Sequence, residues 1–477
     1  MIIGKGISKT FIGDPLFSNL SFKLGNNKKV ALVGKNGTGK STLFKLIAGV
    51  YEPDNGGLSI TGETIAYIPQ EFIFPDMKIE EYLYSFLENE WEFYKIEILR
   101  KELNFQNYNP NQKISSLSEG QKMKLKIIEV MLKDPTVILI DEPTNHLDID
   151  GIRWFEEYLK TLNKTVLMIS HDREFLNNTV SEIWEIENKK LTVFPGNYDY
   201  YYEEKLRLIG KWNEEYTIFK KKKEQLERLL ARVAGTYGVK AVKSRISREI
   251  ENNKKEKYEN KKIKEINFNP GVTHSKLMIR FTDVSKTYDG NNFIFQNLNF
   301  EIRGGEKVWL FGPNGAGKST IVKMILEQEL PSFGEIKIGD NITIGYFAQK
   351  QTALDFEENL LEFYIKSTGC GFGEAHGILK NYMFTGDELK IKIRDLSPGQ
   401  RARFAFAIFT YKNYDMLILD EPDNHLDIET KEVIEESLRK YQGTLFLISH
   451  DRFFVEKINV SSIYKIEDGK IQNLLFN

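Results

Sequence analysis

Twice in this chain a glycine-rich loop ends in Lys-Ser. Gly34-Lys-Asn-Gly-Thr-Gly-Lys40-Ser41 recurs 278 residues later as Gly312-Pro-Asn-Gly-Ala-Gly-Lys318-Ser319. Each copy follows an apolar run and precedes a helical pattern, a setting in which backbone N–H groups around Gly37, Gly39, Gly315 and Gly317 converge on phosphate oxygens at a helix N-terminus. In such a cradle Lys40 and Lys318 reach the outer phosphates of a nucleotide, Ser41 and Ser319 ligate Mg2+, and Thr42 and Thr320 complete the loop. A plain glycine turn explains this strand–loop–helix context poorly. Downstream, two apolar runs end in Asp141-Glu142 and Asp420-Glu421. The first acid of each pair can hold Mg2+ through water, and the second can polarise a water for in-line attack on a γ-phosphate.

These residues need a scaffold that is itself repeated. Leu-Ser-Glu-Gly-Gln at 117–121 recurs as Leu-Ser-Pro-Gly-Gln at 396–400, and Ser-His-Asp-Arg at 170–173 recurs at 449–452, both 279 residues on. One domain has been duplicated. Short alternating runs at 20–24 and 298–302 suit a small antiparallel sheet in each copy. Apolar runs at 30–33, 137–140 and 166–169, with helical patterns between them, predict an α/β domain with a largely parallel sheet. Residues 80–101 and 357–383 read as a helical subdomain. The expected domains are 1–197, a linker 198–270, and 271–477.

At 477 residues each domain can bury its own core, and 41% hydrophobic with 28% charged residues is ordinary for a soluble protein. No apolar run reaches the roughly 18 residues of a membrane span. One cysteine, Cys370, rules out an internal disulfide and suits a reducing cytoplasm. The net charge of −2 conceals an uneven distribution, because residues 220–264 carry 16 Lys/Arg against 6 Asp/Glu, leaving the remainder strongly acidic.

Taken together the motifs resemble the ATP-binding-cassette ATPases, over nearly all of both halves. The resemblance implies ATP and Mg2+ as ligands, Glu142 and Glu421 as catalytic glutamates, and His171 and His450 as switch histidines contacting the γ-phosphate. It makes Asp141, Asp420, Gln70 and Gln349 Mg2+ partners beside the two serines, and Phe11 and Tyr288 the aromatics that stack on adenine. Such cassettes close face to face. The first site would then join Lys40 to Ser397, Gly399 and Gln400, and the second would join Lys318 to Ser118, Gly120 and Gln121. Three positions depart from the pattern: Glu119 in the first signature, which puts a carboxylate near the second site, Pro398 in the second signature, and Asp423 where the first half has Thr144. The two sites are therefore expected to be unequal.

In the linker, apolar residues fall at 206, 209, 212, 216, 219, 226, 230 and 233, and again at 239, 242, 246 and 250. That spacing predicts an antiparallel α-helical hairpin whose first arm is about 50 Å long. Its turn carries Arg228, Arg232, Lys240, Lys243, Arg245 and Arg248 with no acid among them, and Tyr237 at the tip. A solvated coiled coil accounts for the mixed charges near 254–264, whereas the acid-free tip suits RNA. With Gly196-Asn-Tyr198 at the linker's start and Pro-Thr-Asn-His-Leu-Asp at 143–148, the chain looks like the ABC-F proteins. Those bind ribosomes at the tRNA exit site and push the linker toward the peptidyl-transferase centre. The resemblance implies a cytoplasmic monomer with intramolecular cassette pairing, in contact with large-subunit rRNA and the peptidyl-tRNA, and no membrane. Equal 46-residue gaps from Gln70 to Leu117 and from Gln349 to Leu396 leave no room for an inserted arm and favour ribosome protection from antibiotics. The short turn favours a housekeeping translation factor. The soluble motor of a drug exporter and a DNA-associated ATPase are the competing readings.

Overall fold

The computed structural model describes residues 1–10, 15–105, 109, 111–145, 147–233, 244, 248, 266, 268, 276–348, 357–424 and 426–474. In β2 (Pro15–Leu24) Leu20, Phe22 and Leu24 are buried in alternation, and the strand pairs antiparallel with β1 (Ile2–Thr10), which has β4 (Asn55–Ile60) on its other edge. The second half repeats this sheet with β10 (Leu277–Thr287), β11 (Phe293–Arg303) and β13 (Phe333–Ile338).

The continuously apolar runs become the central strands, because a strand covered on both faces has no side to give to polar residues. β3 (Lys29–Val33), β5 (Ile65–Ile68), β6 (Val137–Asp141), β7 (Thr165–Ile169), β8 (Glu182–Glu187) and β9 (Lys190–Pro195) form a sheet in the order β5-β6-β7-β3-β8-β9. All of its pairings are parallel except β8 with β9. Asp141 lies in register with Ile169 and Leu32 with Ile169, so three strands deliver their carboxyl ends to one edge. That edge is where an open α/β sheet binds ligands. β14 (Ile344–Phe347), β15 (Met416–Asp420), β16 (Thr444–Ile448), β12 (Lys307–Phe311), β17 (Ser462–Glu467) and β18 (Lys470–Leu474) repeat the arrangement.

The stretches expected to be helical between core strands are each interrupted. The first is α2 (Ile79–Tyr84) and α3 (Phe93–Glu102), following α1 (Lys40–Ile47). The second is Leu360–Thr368 and Phe372–Asn381, parted where Gly369 adopts φ 75°. Glycine reaches that left-handed conformation without a Cβ clash, so the helix ends there.

The first arm of the linker is α7 (Tyr198–Val233), 36 residues long. Tyr198 and Tyr201 are buried in the first half's core, and Ile266 and Phe268 in the second half's, so both ends of the linker are embedded. Burying each aromatic side chain contributes on the order of 2 kcal/mol to that anchorage. Along α7, Ile209, Tyr216, Phe219 and Leu226 are half-buried while Leu206 and Trp212 are exposed. The linker's return arm, and with it Tyr237, Lys240, Lys243 and Arg245, lies outside the described residues, apart from helical Ser244 and Arg248.

Candidate nucleotide sites at the junction of the two halves

β3 runs into the first glycine loop, and Gly39, at φ 96°, starts α1. A Cβ at Gly39 would lie 2.7 Å from Leu16, so this residue has to be glycine for space as well as for angle. The Lys40 ammonium is buried and donates to the carbonyls of Gly34 at 2.7 Å and Lys35 at 3.1 Å. Burial lowers its pKa, opposed by Glu142, by Asp427 of the other half, and by Asp141. Lys318 repeats the geometry on Gly312 at 2.7 Å and Pro313 at 3.0 Å.

At the end of β6 the Asp141 carboxylate meets the Ser41 hydroxyl and accepts from Tyr67 at 3.3 Å. Burial raises its pKa against the pull of those donors and Lys40. Asp420 is raised to about 6 by burial, with Lys318, Tyr346 and Ser319 opposing. Thr42 and Thr320 follow in the first turns of α1 and Lys318–Ile325. Gln70 lines a small cleft together with Asp141, Glu142 and Glu119.

Glu142 and Glu421 both sit at φ 49°, a left-handed conformation rare for glutamate, held by backbone bonds at 2.8 Å from their N–H groups to Ile169 and Ile448. The turn aims each carboxylate at the histidine beyond the next strand. His171 Nε2 is 3.3 Å from Glu142, and His450 Nε2 is 3.6 Å from Glu421. Here the halves diverge. Glu421 accepts from Asn424 at 2.6 Å, whereas the second carboxylate oxygen of Glu142 is buried with no hydrogen-bond partner among the described residues. Burial raises Glu142 to about 7 despite Lys40. His450 is lowered to about 4 by burial and Lys318, with Asp148 opposing.

The two halves meet loop to loop. Asp427 accepts from the Asn36 amide of the first glycine loop at 3.2 Å, and Asp148 accepts from Asn314 of the second at 3.1 Å. Both aspartates also cap the helix they begin, Asp148 for α5 (Ile149–Thr161) and Asp427 for Ile428–Lys440. The signatures open helices in the same way. Ser118 and Gln121 form a capping box on α4 (Glu119–Leu132), and Ser397 and Gln400 do so on Pro398–Phe409. Pro398 occupies the first turn, where the absent N–H costs nothing, and Gly399 is buried. Gly120 faces Leu147, next to Asp148, so the first signature adjoins the contact made on the second loop. The Glu119 carboxylate, half exposed, pairs with Lys122 of its own helix at 2.8 Å.

Other expected residues are less constrained. Tyr288 is 65% exposed, its ring 5.0 Å from the Lys286 ammonium and its hydroxyl donating to Glu329 at 2.7 Å, so it is a surface aromatic and not a core one. Phe11 and Gln349 lie outside the described residues. Asp148, Asp427, Arg173 and Lys431 carry contacts across the junction that motif reading assigned no role. The aspartates had one legible signal, an acid directly before a helix.

Taken as donors, these groups fit a Mg2+-bound triphosphate. Each half supplies a hydroxyl–carboxylate pair for the cation and an ammonium packed against loop carbonyls. The first half adds a buried carboxylate oxygen left without a hydrogen-bond partner among the described residues.

A family model described as ABC transporter matches residues 17–145 and 295–424, and another of the same description matches 184–268. The "Putative ATP-binding protein YdiF" of Bacillus subtilis (strain 168) is 29% identical over 523 aligned positions, covering 98% of this chain and 80% of that protein. The "Ribosome protection protein VmlR" of the same organism is 30% identical over 483, covering 95% and 84%. Among solved structures, the archaeal ribosome recycling factor aABCE1, in complex with the ribosomal stalk protein aP1, shares the fold with a TM-score of 0.64, at 21% identity over 98% of this chain and 90% of that one.

Proposed function

This chain belongs to the ABC-F family of tandem ATP-binding-cassette ATPases, and on that premise we propose a ribosome-associated enzyme whose ATP-closed form occupies the tRNA exit site and directs α7 toward the peptidyl-transferase centre. The observation that carries this reading is how α7 is rooted. His171 is followed by Asp172, the cap of α6 (Arg173–Thr179), and Asn177 on that helix exchanges hydrogen bonds with Asp199 on α7 at 2.7 and 3.1 Å. Two residues further along α7 the Tyr201 hydroxyl donates to Glu185 at 2.6 Å, and a turn beyond it Lys205 bridges Glu185 to Glu429 of the other half. Glu429 in turn pairs with Lys35 of the first glycine loop at 2.9 Å. A change at the nucleotide therefore has two short routes into the linker.

Bound Mg2+-ATP supplies the γ-phosphate and a neutralising cation. Lys40 and Lys318 would hold its phosphate oxygens, Ser41, Asp141 and Gln70 would hold the cation in the first site, and Ser319, Asp420 and Gln349 would do so in the second. Glu142 and Glu421 orient water and take its proton on a carboxylate oxygen, with His171 and His450 beside them. Asp148 and Asp427 bring each half's signature to the opposite loop.

Within the family reading we assign protection of the ribosome from antibiotics, supported by the relative named for that activity and by the equal motif spacing in the two halves. Arg228 and Arg248, both exposed, belong to the basic tip that would meet rRNA or the peptidyl-tRNA. Among the described residues no helix is long and apolar enough to cross a membrane. The deciding experiment is purified translation with and without this protein, in the presence of drugs that act at the peptidyl-transferase centre. Rescue by the wild type, with Glu142→Gln/Glu421→Gln protein trapped on ribosomes by ATP, is the expected result. Stimulation only without drug would indicate a housekeeping factor. Absence from ribosomes, with co-purification of a membrane protein, would favour the exporter motor.

A further inference from the structure

Three positions one helical turn apart present each half to the other, and the middle one differs between the copies. On Ile428–Lys440, Asp427 meets the first glycine loop, Glu435 pairs with Arg173, and Lys431 lies between them. On the first half's equivalent helix Asp148 and Glu156 make the matching contacts to Asn314 and Arg452, but Ile152 stands where Lys431 would be. The Lys431 ammonium is buried and donates to Asp451 at 2.8 Å and, across the junction, to the backbone carbonyl of His171 at 3.2 Å. Burial acts to lower its pKa, yet Asp451 and Asp423 outweigh that and hold it above the ordinary range. Asp423 is the departure from Thr144 noted in the sequence; it accepts from Ser449 at 2.8 Å and supplies charge to Lys431. The two departures are thus one device, Thr144 with Ile152 in the first half and Asp423 with Lys431 in the second.

We propose that Lys431 is a positioning residue for the first nucleotide site, holding the His171 switch segment from the opposite half so that the His171–Glu142 pair forms only when the halves are closed. An ammonium bonded to a carbonyl fixes the strand end on which the histidine is mounted, and a buried one does so without competition from water. Docking of the second half thereby becomes a condition for the first site's chemistry. Ile152 carries no donor for the His450 carbonyl, and His450 stands 3.6 Å from Glu421 against 3.3 Å for His171 and Glu142. Both sites draw a signature from the opposite half, but among the described residues only the first has its switch histidine segment tied across the junction by a side-chain cation.

This rests on Glu142 and Glu421 serving the two sites separately, so the test begins by splitting the rate. Asp423→Thr with Lys431→Ile gives the second half the pair that already packs in the first. In the Glu142→Gln/Glu421→Gln protein held closed with ATP, hydrogen exchange should rise several-fold in the peptide carrying His171 and by clearly less in the one carrying His450, whose neighbours Ser449 and Asp451 lose only contacts within their own half. In the Glu421→Gln background the same swap should lower kcat about tenfold with little change in KM. In the Glu142→Gln background it should change the rate by no more than about twofold, and Lys431→Arg should retain most of the wild-type rate. Equal effects on both histidine peptides, or in both backgrounds, mean that Lys431 only staples the halves and overturn the inference. If the swap does not fold, the reciprocal Thr144→Asp/Ile152→Lys variant decides: the inference expects slower exchange around His450, and unchanged exchange overturns it. Were the glutamate assignment itself wrong, the single Gln variants would not divide the rate at all.

Discussion

Arg173 and Glu435 meet in a buried pair across the junction, an Arg173 guanidinium nitrogen donating to the Glu435 carboxylate at 3.2 Å while the guanidinium carbon lies 4.0 Å from the Phe453 ring centroid. Arg452 and Glu156 form the counterpart at 2.7 Å. A buried pair broken on one side leaves a charge with no compensation, so Glu435→Ala should disfavour closure by about 3–5 kcal/mol, whereas the apolar double variant Arg173→Met/Glu435→Met should cost much less. Fluorescence transfer between labels on the two halves, titrated with ATP, measures this. Equal losses in the single and double variants would refute the coupling.

Gly39 and Gly37 should behave differently despite sharing one loop. A Cβ at Gly39 meets Leu16 and Phe17 within 3 Å, whereas at Gly37 it meets nothing within 4 Å. Both carry positive φ, so each substitution strains the backbone by about 1–2 kcal/mol. Gly39→Ala should additionally displace Leu16 or the start of α1 and abolish ATP binding at the first site, while Gly37→Ala weakens it about tenfold. Calorimetric titration in a Lys318→Ala background isolates that site.

Stability of the closed, nucleotide-free form should depend on pH through Asp172. Burial and the facing Asp451 raise its carboxyl to about 7. Because the folded pKa lies above the unfolded one, the stabilisation is complete below about pH 4 and is lost as pH rises toward and through 7. Asp172→Asn keeps the cap on Phe175, which asparagine can also provide, and removes the titration. Between pH 5 and 8 the wild type should lose about 2–3 kcal/mol more than the variant, read from denaturant unfolding. Parallel pH profiles would reject the assignment.

Lys205 should separate catalysis from output. Burial would lower its pKa, but Glu185, Glu187 and Glu429 outweigh that and keep it charged. Lys205→Met leaves Glu185 without its cation and removes the ion pair between α7 and Glu429 of the second half. ATPase activity should stay within about twofold while effects on ribosomes fall at least tenfold, with faster hydrogen exchange over residues 198–209. Retained ribosome activity would move the output route elsewhere.

Much of this was legible because the chemistry is contiguous in the chain. The glycine loops, the acids at the ends of β6 and β15, and the serine caps of the signatures each depend on neighbours within a few residues, and strand and helix periods follow from which faces are buried. The repeat itself announced that two such sites exist, and the spacing at Ile209, Tyr216, Phe219 and Leu226 marked α7. Interruptions were harder to see, since the end of a helix at Gly369 competes with an apolar pattern that continues past it.

The sequence by itself thus determined what each half contains, while only the tertiary structure decided how one half completes the other. Asn36 and Asp427, or His171 and Lys431, stand hundreds of residues apart, and no local pattern links them. Their energies exist only once two separately folded surfaces dock and exclude water from the charges between them. The left-handed turn at Glu142 belongs to the same class, because its bond to Ile169 requires β6 and β7 to be paired first.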